Sequence, residues 1–452
     1  MATTTLPKGF RGDMANSFNP NATEHLDADA QSHIERRKRL LGPAYRLFYS
    51  DPVEISRGKG VYLYDKDGNE YLDAYNNVVS IGHSHPRVVA AITKQLQTLC
   101  THTRYMQEGL LKYSESLLST FDKELSDNAV TMFTCTGSES NDLAMRVARH
   151  FTGNTGVIVT AEAYHGNSAL TAGISPSLGK KSKLDPFLRT VPAPDSYRVP
   201  VENMGRWMAD NVAAQIEDMQ RHGGGLAAFI CDSLFSSDGL YAEPTDLLKP
   251  VAEVVRKAGG LFIADEVQSG FGRSGTHMWG HQRHGVVPDI ATMGKPMGNG
   301  YPVAGVVIRE DVVAEFGRDM RYFNTFGGNS VAIAAAQATL DVIQEEGLMA
   351  NSVRLGKLIL DGLKDIASRH EQIGDVRGAG LYFGVEMVKD KTSKKSDIDS
   401  ALAVVNGLRK RRVLISATGP GASVLKIRPP LVFTEPDATR LLGELEAVLS
   451  SL

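Results

Sequence analysis

The chain has 452 residues, of which 42% are hydrophobic, and this length favours one large domain with a smaller one beside it. Its 49 basic and 52 acidic residues give a formal charge of −3, which argues against a nucleic-acid-binding protein and against attraction to an anionic membrane. No apolar run is long enough to span a bilayer, and the N-terminus lacks the apolar core of a signal peptide. The three widely spaced cysteines fit a reducing compartment, so we expect a cytoplasmic enzyme.

The first two thirds of the chain change from a hairpin pattern to alternating strands and helices. Residues 60–77 alternate apolar and polar side chains around Asp67-Gly68, which predicts a β-hairpin. Between about 86 and 330, apolar segments alternate with helix-like ones. This alternation predicts an α/β fold with a mostly parallel sheet covered by helices. The buried-strand candidates are AVTMFTC (129–135), TGVIVTAEA (155–163), LAAFICDS (226–233) and GGLFIADEV (259–267).

The last third of the chain has a different pattern, with a long helical region, the strand-like RGAGLYFGVEMV, and a closing helix with leucines on one face. We therefore predict a large domain over 86–330 and a smaller α+β domain over 331–452. Residues 1–85 are predicted to form an N-terminal arm and hairpin that pack with the small domain.

The segment TCTGSESND places Thr136-Gly137-Ser138 between a strand and a helix. Free N–H groups at a helix start can hold an anion such as phosphate, and Gly137 would let the backbone approach it closely. The alternative is an ordinary helix cap made by a hydroxyl side chain. The spacing is neither that of a Rossmann dinucleotide motif nor that of a P-loop.

Two further positions are candidates for chemistry. In LFIADEVQSG an apolar strand delivers Asp265 and Glu266 at its carboxyl end, where ligands of α/β sheets gather. A carboxylate there can keep a heterocyclic nitrogen protonated, bind a metal, or cap a turn; no His or Cys nearby completes a metal site. Lys295, in PDIATMGKPMGNG, is isolated from other charges. It is either an exposed loop lysine or a buried, nucleophilic amine.

An anion site, a strand-end aspartate and an isolated lysine together match the needs of pyridoxal 5′-phosphate. The phosphate needs a helix start, the ring nitrogen needs a carboxylate, and the aldehyde needs an amine that forms a Schiff base. Tyr164 and His165 follow a predicted strand, where an aromatic side chain either stacks on the cofactor ring or packs in the core.

The motifs of the chain, in their order, resemble those of the pyridoxal-phosphate-dependent class III aminotransferase family, which has fold type I. That resemblance implies a large domain with a mostly parallel seven-stranded sheet and a smaller α+β domain. The matching segments are GVYLYDKDGNEYLDA, GHSHP, TGSESND, YHG, ADEVQSGFGRSG, MGKPMGNGYPVAGV, NTFGGNS and VRGAGLYFGVEM.

The resemblance also implies roles for single residues around the phosphate and the ring. Gly137 and Ser138 hold the cofactor phosphate. Tyr164, next to His165, stacks on one face of the ring, and Val267 packs against the other.

The remaining implied roles concern protons and the second subunit. Asp265 pairs with the ring nitrogen, Gln268 reaches the ring hydroxyl, and Lys295 forms the Schiff base and moves protons. Thr325 reaches the phosphate bound in the neighbouring subunit, which implies a homodimer, with a tetramer left open. The histidines of GHSHP belong to a turn that this family carries without zinc, so no metal is expected.

Within the family, residues 41–60 and 74–89 are similar to the branch of phospho-lyases that act on O-phosphoethanolamine or phosphohydroxylysine. Class III transaminases usually have a small pair where this chain has Asn76-Asn77. They usually have Glu-Pro where it has Asp232-Ser233, and phospho-lyases have Glu-Ser. The shorter Asp232 leaves the role of this acid open.

The two branches share proton removal by Lys295 and differ in the next step, in which a phospho-lyase expels phosphate from the neighbouring carbon. Expulsion needs a second anion pocket, for which Arg377 is the first candidate because a guanidinium grips phosphate with two hydrogen bonds. The alternative role for Arg377 is a clamp for a substrate carboxylate. Asn76 or Asn77, with Tyr49 or Arg46, are candidates to complete the pocket.

Three functions are compatible with these patterns. The first is a lyase that converts O-phosphoethanolamine to acetaldehyde, ammonia and phosphate, and the second is a transaminase for ω-amino substrates and keto acids. The third is a regulator that binds the cofactor without turnover; it is disfavoured because the N-terminal arm offers no helix-turn-helix for DNA.

Overall fold

A computed structural model describes residues 16–452. The helices in this range are α1 (Ala28–Leu41), α2 (Pro86–Thr98), α3 (Glu108–Leu118), α4 (Lys123–Asn128), α5 (Gly137–Thr152), α6 (Ala169–Gly173), α7 (Met204–Arg221), α8 (Lys249–Lys257), α9 (Gly280–Arg283), α10 (Glu310–Asp319), α11 (Ser330–Glu345), α12 (Leu348–Arg369), α13 (Ile398–Lys410) and α14 (Glu435–Leu449). The strands are β1 (Ile55–Lys59), β2 (Tyr62–Asp65), β3 (Glu70–Asp73), β4 (Ala129–Thr134), β5 (Gly156–Thr160), β6 (Leu188–Val191), β7 (Leu226–Asp232), β8 (Leu261–Asp265), β9 (Ile290–Met293), β10 (Ala304–Arg309), β11 (Ile373–Ala379), β12 (Tyr382–Met387), β13 (Val413–Leu414), β14 (Ser416–Thr418) and β15 (Val424–Ile427).

The central element is a seven-stranded sheet with the order β4-β10-β9-β8-β7-β5-β6. Strand β10 runs antiparallel to both of its neighbours, and the pairs from β9 to β6 are parallel. The predicted fold, with a mostly parallel seven-stranded sheet, is confirmed. All four strand candidates in the sequence form strands of this sheet.

Both faces of the sheet are buried under helices, which is why its strands are apolar at nearly every position. On β7, Phe229 and Cys231 belong to the core formed with α7 and α8. Their neighbours Ala228 and Ile230 belong to the core formed with α5 and α10. The alternation follows from the two-residue period of a strand.

Two four-stranded sheets complete the fold. The first has the order β1-β2-β3-β13, and the second, antiparallel one has the order β11-β12-β15-β14. The predicted hairpin is present as β2 and β3, and Gly68, with a φ of 81°, occupies its turn.

The N-terminal hairpin is joined to the C-terminal part of the chain, because β3 pairs in parallel with β13. The first 15 residues of the predicted arm lie outside the described residues, and the domain boundaries near 85 and 330 stay predictions. In residues 16–452 there is no helix with the length and apolarity that crossing a bilayer requires.

Candidate active site

The site lies at the edge of the central sheet where β4, β8 and β9 have their carboxyl ends. Because these strands run in the same direction, the residues after their carboxyl ends converge. The predicted cofactor residues meet here, with the exception of Thr325. The cavity is lined by Gly137, Ser138, Asn141, Tyr164, His165, Gly166, Asp232, Asp265, Val267, Gln268 and Lys295.

The start of α5 forms one end of the cavity. Thr136 and Glu139 cap this 16-residue helix reciprocally, with Thr136 Oγ1 accepting from the Glu139 N–H. The N–H groups of Gly137 and Ser138 have no hydrogen-bond acceptor within residues 16–452. The cap and the anion site are therefore compatible, since the hydroxyl satisfies one donor and leaves two for a ligand.

Gly137 lies too close to its neighbours for a side chain. A Cβ atom there would lie 2.9 Å from Val267 Cγ2, and a Cβ on Gly294 would lie 3.2 Å from the Gly137 nitrogen. These close approaches bring Val267 and the residue after Gly294, which is Lys295, against the start of α5. They explain why glycine occupies both positions.

Asp265 is held by three hydrogen bonds at the end of β8. Its Oδ2 accepts from His165 Nδ1 at 2.7 Å and from Asn141 Nδ2 at 2.8 Å, and its Oδ1 accepts from the Val267 N–H at 3.1 Å. Thr292 Oγ1 donates to Asn141 Oδ1 at 2.6 Å and fixes that amide in turn. The carboxylate is thus immobilised by three hydrogen-bond donors.

Sequence analysis did not single out Asn141. The signal was present in TGSESND, because Asn141 is four residues beyond Gly137 and lies on the same face of α5. A polar side chain on that face points to the same cavity as the helix start.

Lys295 lines the cavity, and no hydrogen bond or ion pair of its amine exists in the part of the chain that the structure describes. Burial lowers the pKa of Lys295, an effect that Asp265 opposes and Arg428 reinforces. Lys295 is partly exposed and faces the cavity, so it is not an exposed loop lysine.

The donors and acceptors of the cavity fit pyridoxal phosphate. Two free N–H groups at a helix start suit its phosphate, a fixed carboxylate suits its ring nitrogen, and an amine without a partner suits its aldehyde. Tyr164, whose side chain is 37% exposed, offers an aromatic face along the same cavity.

A second group of charges lies beside Gln268, and we call Arg273, Lys426 and Arg428 the cationic cluster. Lys426 Nζ lies 3.3 Å and Arg428 Nη1 2.7 Å from Gln268 Oε1. Arg273 Nη1 donates to the carbonyl oxygens of Leu381 and Pro429, immediately behind Arg428. All three residues are at most 7% exposed.

None of the three cations has a carboxylate within ion-pair distance in residues 16–452. Arg428 Nε and Arg273 Nη2 are also buried without a hydrogen-bond acceptor. Buried charges are normally paired, so three cations without a carboxylate partner are unusual; none of them lines the cavity itself, and Gln268 joins Lys426 and Arg428 to it.

Sequence analysis missed this cluster, although Lys426 and Arg428 stand close together in the segment VLKIRPPLVFT. They are two residues apart at the end of β15, so they share one face of the strand. Two cations on one face of an otherwise apolar strand are the signal that could have revealed them.

Arg377 does not line the cavity, and this corrects its expected place in the substrate pocket. Its guanidinium donates to Asp375 at 2.9 Å, to Glu386 at 2.8 Å, and to the carbonyl oxygens of Gly239 and Leu240. With its charge neutralised by two carboxylates and most of its donors used, Arg377 fixes the loop after β7.

The other expected substrate residues lie outside the cavity as well. Tyr49 is buried and donates its hydroxyl hydrogen to the carbonyl oxygen of Ile415. Arg46 lines a separate cavity near α1. Asn76 Oδ1 accepts from the Val78 N–H. These contacts do not place the three side chains against the residues that line the site.

Asn77 is the exception, because it reaches the edge of the site. Its Nδ2 donates to the carbonyl oxygen of Gln268 at 3.0 Å, and its buried Oδ1 has no partner in residues 16–452. Thr325 is exposed and does not line the cavity of its own chain.

Asp232 lines the cavity but forms no ion pair with an arginine in the described residues. Its two oxygens accept from the N–H groups of Leu234 and Ser236, and burial raises its pKa. Asp232, which is shorter than the Glu usual at this position, therefore binds backbone N–H groups of the loop after β7 and no arginine of the described residues.

The histidines of GHSHP pair with carboxylates. His83 Nε2 lies 2.7 Å from Asp73 Oδ2, and His85 Nε2 lies 3.7 Å from Glu346. Within the described range, no set of three or more His, Cys, Asp or Glu side chains is placed to hold a metal ion.

Comparison with known proteins agrees with this geometry. Residues 48–449 match the family model described as aminotransferase class-III. The chain is 38% identical to ethanolamine-phosphate phospho-lyase homolog 1 of Caenorhabditis elegans, covering 96% of this chain and 97% of the relative. It is 39% identical to an alanine–glyoxylate aminotransferase 2-like protein of Drosophila melanogaster, covering 94% and 89%.

A solved structure adds a closer likeness. A phospholyase from Arthrobacter, in complex with phosphoethanolamine, superimposes with a TM-score of 0.89 at 44% identity, covering 93% of this chain and all of that chain. The family match spans nearly the whole sequence, and the cavity fits the cofactor on which the family depends. The chain therefore belongs to the class III aminotransferase family of pyridoxal-phosphate-dependent enzymes.

Proposed function

We propose that this enzyme is a phospho-lyase that eliminates phosphate from O-phosphoethanolamine and yields acetaldehyde, ammonia and phosphate. The observation that supports this function is the cationic cluster of Arg273, Lys426 and Arg428 beside Gln268. A phosphate monoester carries two negative charges near neutral pH, and a pocket with several unpaired cations suits a dianion better than a monoanionic carboxylate.

Arg198 and Arg377 differ from the cationic cluster because they form ion pairs with carboxylates. Arg198 and Arg377 share Glu386 between them at 2.8 Å each, and Asp195 and Asp375 add further carboxylates. These two arginines are neutralised within the chain. No carboxylate of the described residues neutralises the cluster, which favours an anionic ligand beside it.

In the proposed reaction, Lys295 is the general base, and Asp265 would stabilise the positive charge on the cofactor's ring nitrogen. When bound, pyridoxal phosphate supplies an electron sink that acidifies the carbon bearing the substrate nitrogen. Lys295 Nζ removes the proton from that carbon, and its lowered pKa favours the neutral amine that this task needs. Asp265, held by His165, Asn141 and Val267, keeps a positive charge on the ring nitrogen.

The names of the relatives divide between two chemistries. The Caenorhabditis relative is named for ethanolamine-phosphate lysis and the Arthrobacter structure contains phosphoethanolamine, whereas the Drosophila relative is named as an aminotransferase. The identities to the two named proteins are nearly equal. The names therefore leave an amino-acid transaminase as the second candidate, and the unpaired cations favour the lyase.

The deciding experiment mixes the cofactor-loaded enzyme with O-phosphoethanolamine in the absence of any keto acid. We expect inorganic phosphate and ammonia to be released in equal amounts, together with acetaldehyde. A parallel reaction with pyruvate and an ω-amino substrate measures alanine. Alanine formation without phosphate release in either reaction would identify a transaminase and overturn the proposal.

We also propose a homodimer in which Thr325 reaches the cofactor phosphate of the partner subunit. Exposed apolar side chains cluster near Thr325, where Tyr105 and Phe323 pack around His102 and Phe326 is 68% exposed. An exposed apolar patch of this kind marks an interaction surface.

Light scattering is expected to give the mass of two chains, and a single-chain mass would exclude the dimer. Thr325→Val is expected to weaken cofactor binding.

The proposed compartment is the cytoplasm, where thiols stay reduced. The three cysteines are unpaired in the structure, and Cys100 is exposed. Fractionation of the source cells, with an antibody to the chain, tests this assignment, and recovery in an organelle fraction would refute it.

A further inference from the structure

The leaving group of the proposed elimination needs a proton, which neither Lys295 nor Asp265 supplies. A phosphate monoester dianion that loses its carbon–oxygen bond without gaining a proton would depart as a trianion, which is a strong base and a poor leaving group. The oxygen that bridges carbon and phosphorus therefore needs a proton donor in the transition state. Arg428 is unsuited to supply one, because a guanidinium holds its proton tightly, and Arg273 lies behind Arg428, bonded to the carbonyl oxygens of Leu381 and Pro429.

We propose that Lys426 donates the proton to this bridging oxygen. The proposal rests on the proposed phospho-lyase function and adds a catalytic residue to it. Lys426 Nζ lies 3.3 Å from Gln268 Oε1, and Gln268 lines the cavity together with Lys295. Lys426 itself does not line the cavity; its amine lies next to Gln268, one side chain away from it.

The contacts of Lys426 leave a donor available. Its amine donates to the Ser236 carbonyl oxygen at 3.2 Å and to Gln268, and no carboxylate of the described residues pairs with it. An ammonium has three N–H bonds, so one remains for a ligand. The residue is 7% exposed, which keeps water from competing for that bond.

The electrostatics of the site suit a proton donor. Burial, reinforced by the charge of Arg428, lowers the pKa of Lys426 well below its usual range, so its ammonium is a stronger acid than that of an exposed lysine. A bound phosphate dianion favours the protonated form before the reaction. Loss of the proton to the leaving oxygen then removes a charge that the pocket disfavours.

Asp232 is the competing acid in the cavity, since burial raises its pKa. Both of its oxygens accept backbone N–H groups, from Leu234 at 3.0 Å and Ser236 at 3.1 Å. Those bonds favour the carboxylate over the carboxylic acid. Both oxygens of Asp232 are thus used as acceptors, whereas the Lys426 amine keeps one N–H without a hydrogen-bond partner in the described residues.

The elimination step conserves atoms and electrons. The carbon–hydrogen bond breaks, its proton goes to Lys295 Nζ, and its electron pair forms a carbon–carbon double bond. The carbon–oxygen bond breaks with its pair on the bridging oxygen, which takes the proton of Lys426. Phosphate leaves as a protonated dianion, and Lys426 regains a proton from solvent after release.

The test compares two leaving groups in the cofactor-loaded enzyme. O-Phosphoethanolamine requires protonation of its leaving group, whereas ethanolamine O-sulfate releases sulfate, a weak base that requires none. For Lys426→Met we expect phosphate release to fall about 10²–10⁴-fold, the range of a lost general acid, with a much smaller fall in sulfate release. Equal falls for the two substrates would reduce Lys426 to a binding charge and overturn the proposal.

Further measurements separate catalysis from binding and folding. Lys426→Arg keeps the charge but holds its proton too tightly, so it should bind 2-aminoethylphosphonate like the wild type and still release phosphate slowly. Deuterium on the carbon bearing nitrogen should continue to exchange with solvent in both variants. Lys410→Met, which changes an exposed lysine of α13, is the matched control, and melting temperatures report folding.

The outcomes distinguish this proposal from the function on which it rests. If the wild type releases no phosphate, the phospho-lyase function fails and this step fails with it. If the wild type releases phosphate and Lys426→Met or Lys426→Arg does so at a similar rate, only the role of Lys426 is refuted. Lys295 would then return the proton that it has removed.

Discussion

Replacing Lys295 with methionine is expected to abolish phosphate release from O-phosphoethanolamine, with a loss of more than about 10⁴-fold. The substitution removes the amine that binds the cofactor covalently and the base that removes the substrate proton, so two contributions are lost together. Folding should persist, because burial disfavours the lysine charge and methionine has a similar length without a charge.

Borohydride reduction followed by peptide mass spectrometry measures the covalent step directly. The wild-type peptide that contains Lys295 should gain the mass of the reduced cofactor, and the methionine variant should gain none at any residue. Lys410→Met should keep the wild-type labelling, since that lysine is exposed on α13. A variant that is still labelled, or that keeps its turnover, would exclude Lys295 as the attachment site.

Much of the cofactor site could be predicted from the sequence because it depends on local patterns. Apolar strands that alternate with helices form a parallel sheet, and the residues after their carboxyl ends meet at one edge. Gly137, Asp265 and Lys295 each stand at or just after the end of such a strand, so their convergence follows from the topology. No long-range contact had to be known beforehand.

The substrate-binding residues could not be predicted in the same way, because the sequence does not show whether a given cation pairs with a carboxylate. Arg377 was expected to hold phosphate, but the β11–β12 hairpin places Glu386 opposite Asp375 and beside that arginine. Lys426 and Arg428 have no such partner in the described residues. The difference between a neutralised and an unpaired cation depends on the register of strand pairing, which the sequence does not show.

An apolar repeat predicts burial only where neighbouring elements cover the helix. Leu143, Val147 and Phe151 repeat every four residues in α5, and the first two are buried. Phe151 is 40% exposed, since the helix ends one residue later and extends beyond the core that covers its first turns. The orientation of β10, antiparallel to its neighbours, was likewise not visible in its short apolar sequence.

Replacing Asp265 with asparagine is expected to give the second-largest loss, about 10²–10⁴-fold in phosphate release. Asparagine keeps the shape of the side chain and removes the charge that holds a proton on the cofactor ring. Breaking a buried charge pair costs about 3–5 kcal/mol, and each 1.36 kcal/mol corresponds to a factor of ten. If the amide nitrogen of the asparagine took the place of Oδ2, its hydrogens would also point at the donors of His165 or Asn141, which bond to that oxygen in the wild type.

Cofactor affinity provides a measurement that does not depend on turnover. Titration of the cofactor-free protein with pyridoxal phosphate should show weaker binding by Asp265→Asn, and dialysis should remove the cofactor faster. Asp265→Glu tests the geometry, because it keeps the charge but displaces it by one methylene. If Asp265→Asn binds cofactor and releases phosphate within threefold of wild type, the ring nitrogen does not depend on this carboxylate.

The adjacent acid, Glu266, supplies the matched control. Its side chain does not line the cavity but accepts hydrogen bonds from Ser233, Ser269 and His281. Although burial raises the pKa of Glu266, these donors, led by His281, lower it to about 2. Glu266→Gln should therefore lower the melting temperature and leave cofactor affinity nearly unchanged, so equal losses of affinity at the two positions would show that the Asp265 effect is structural.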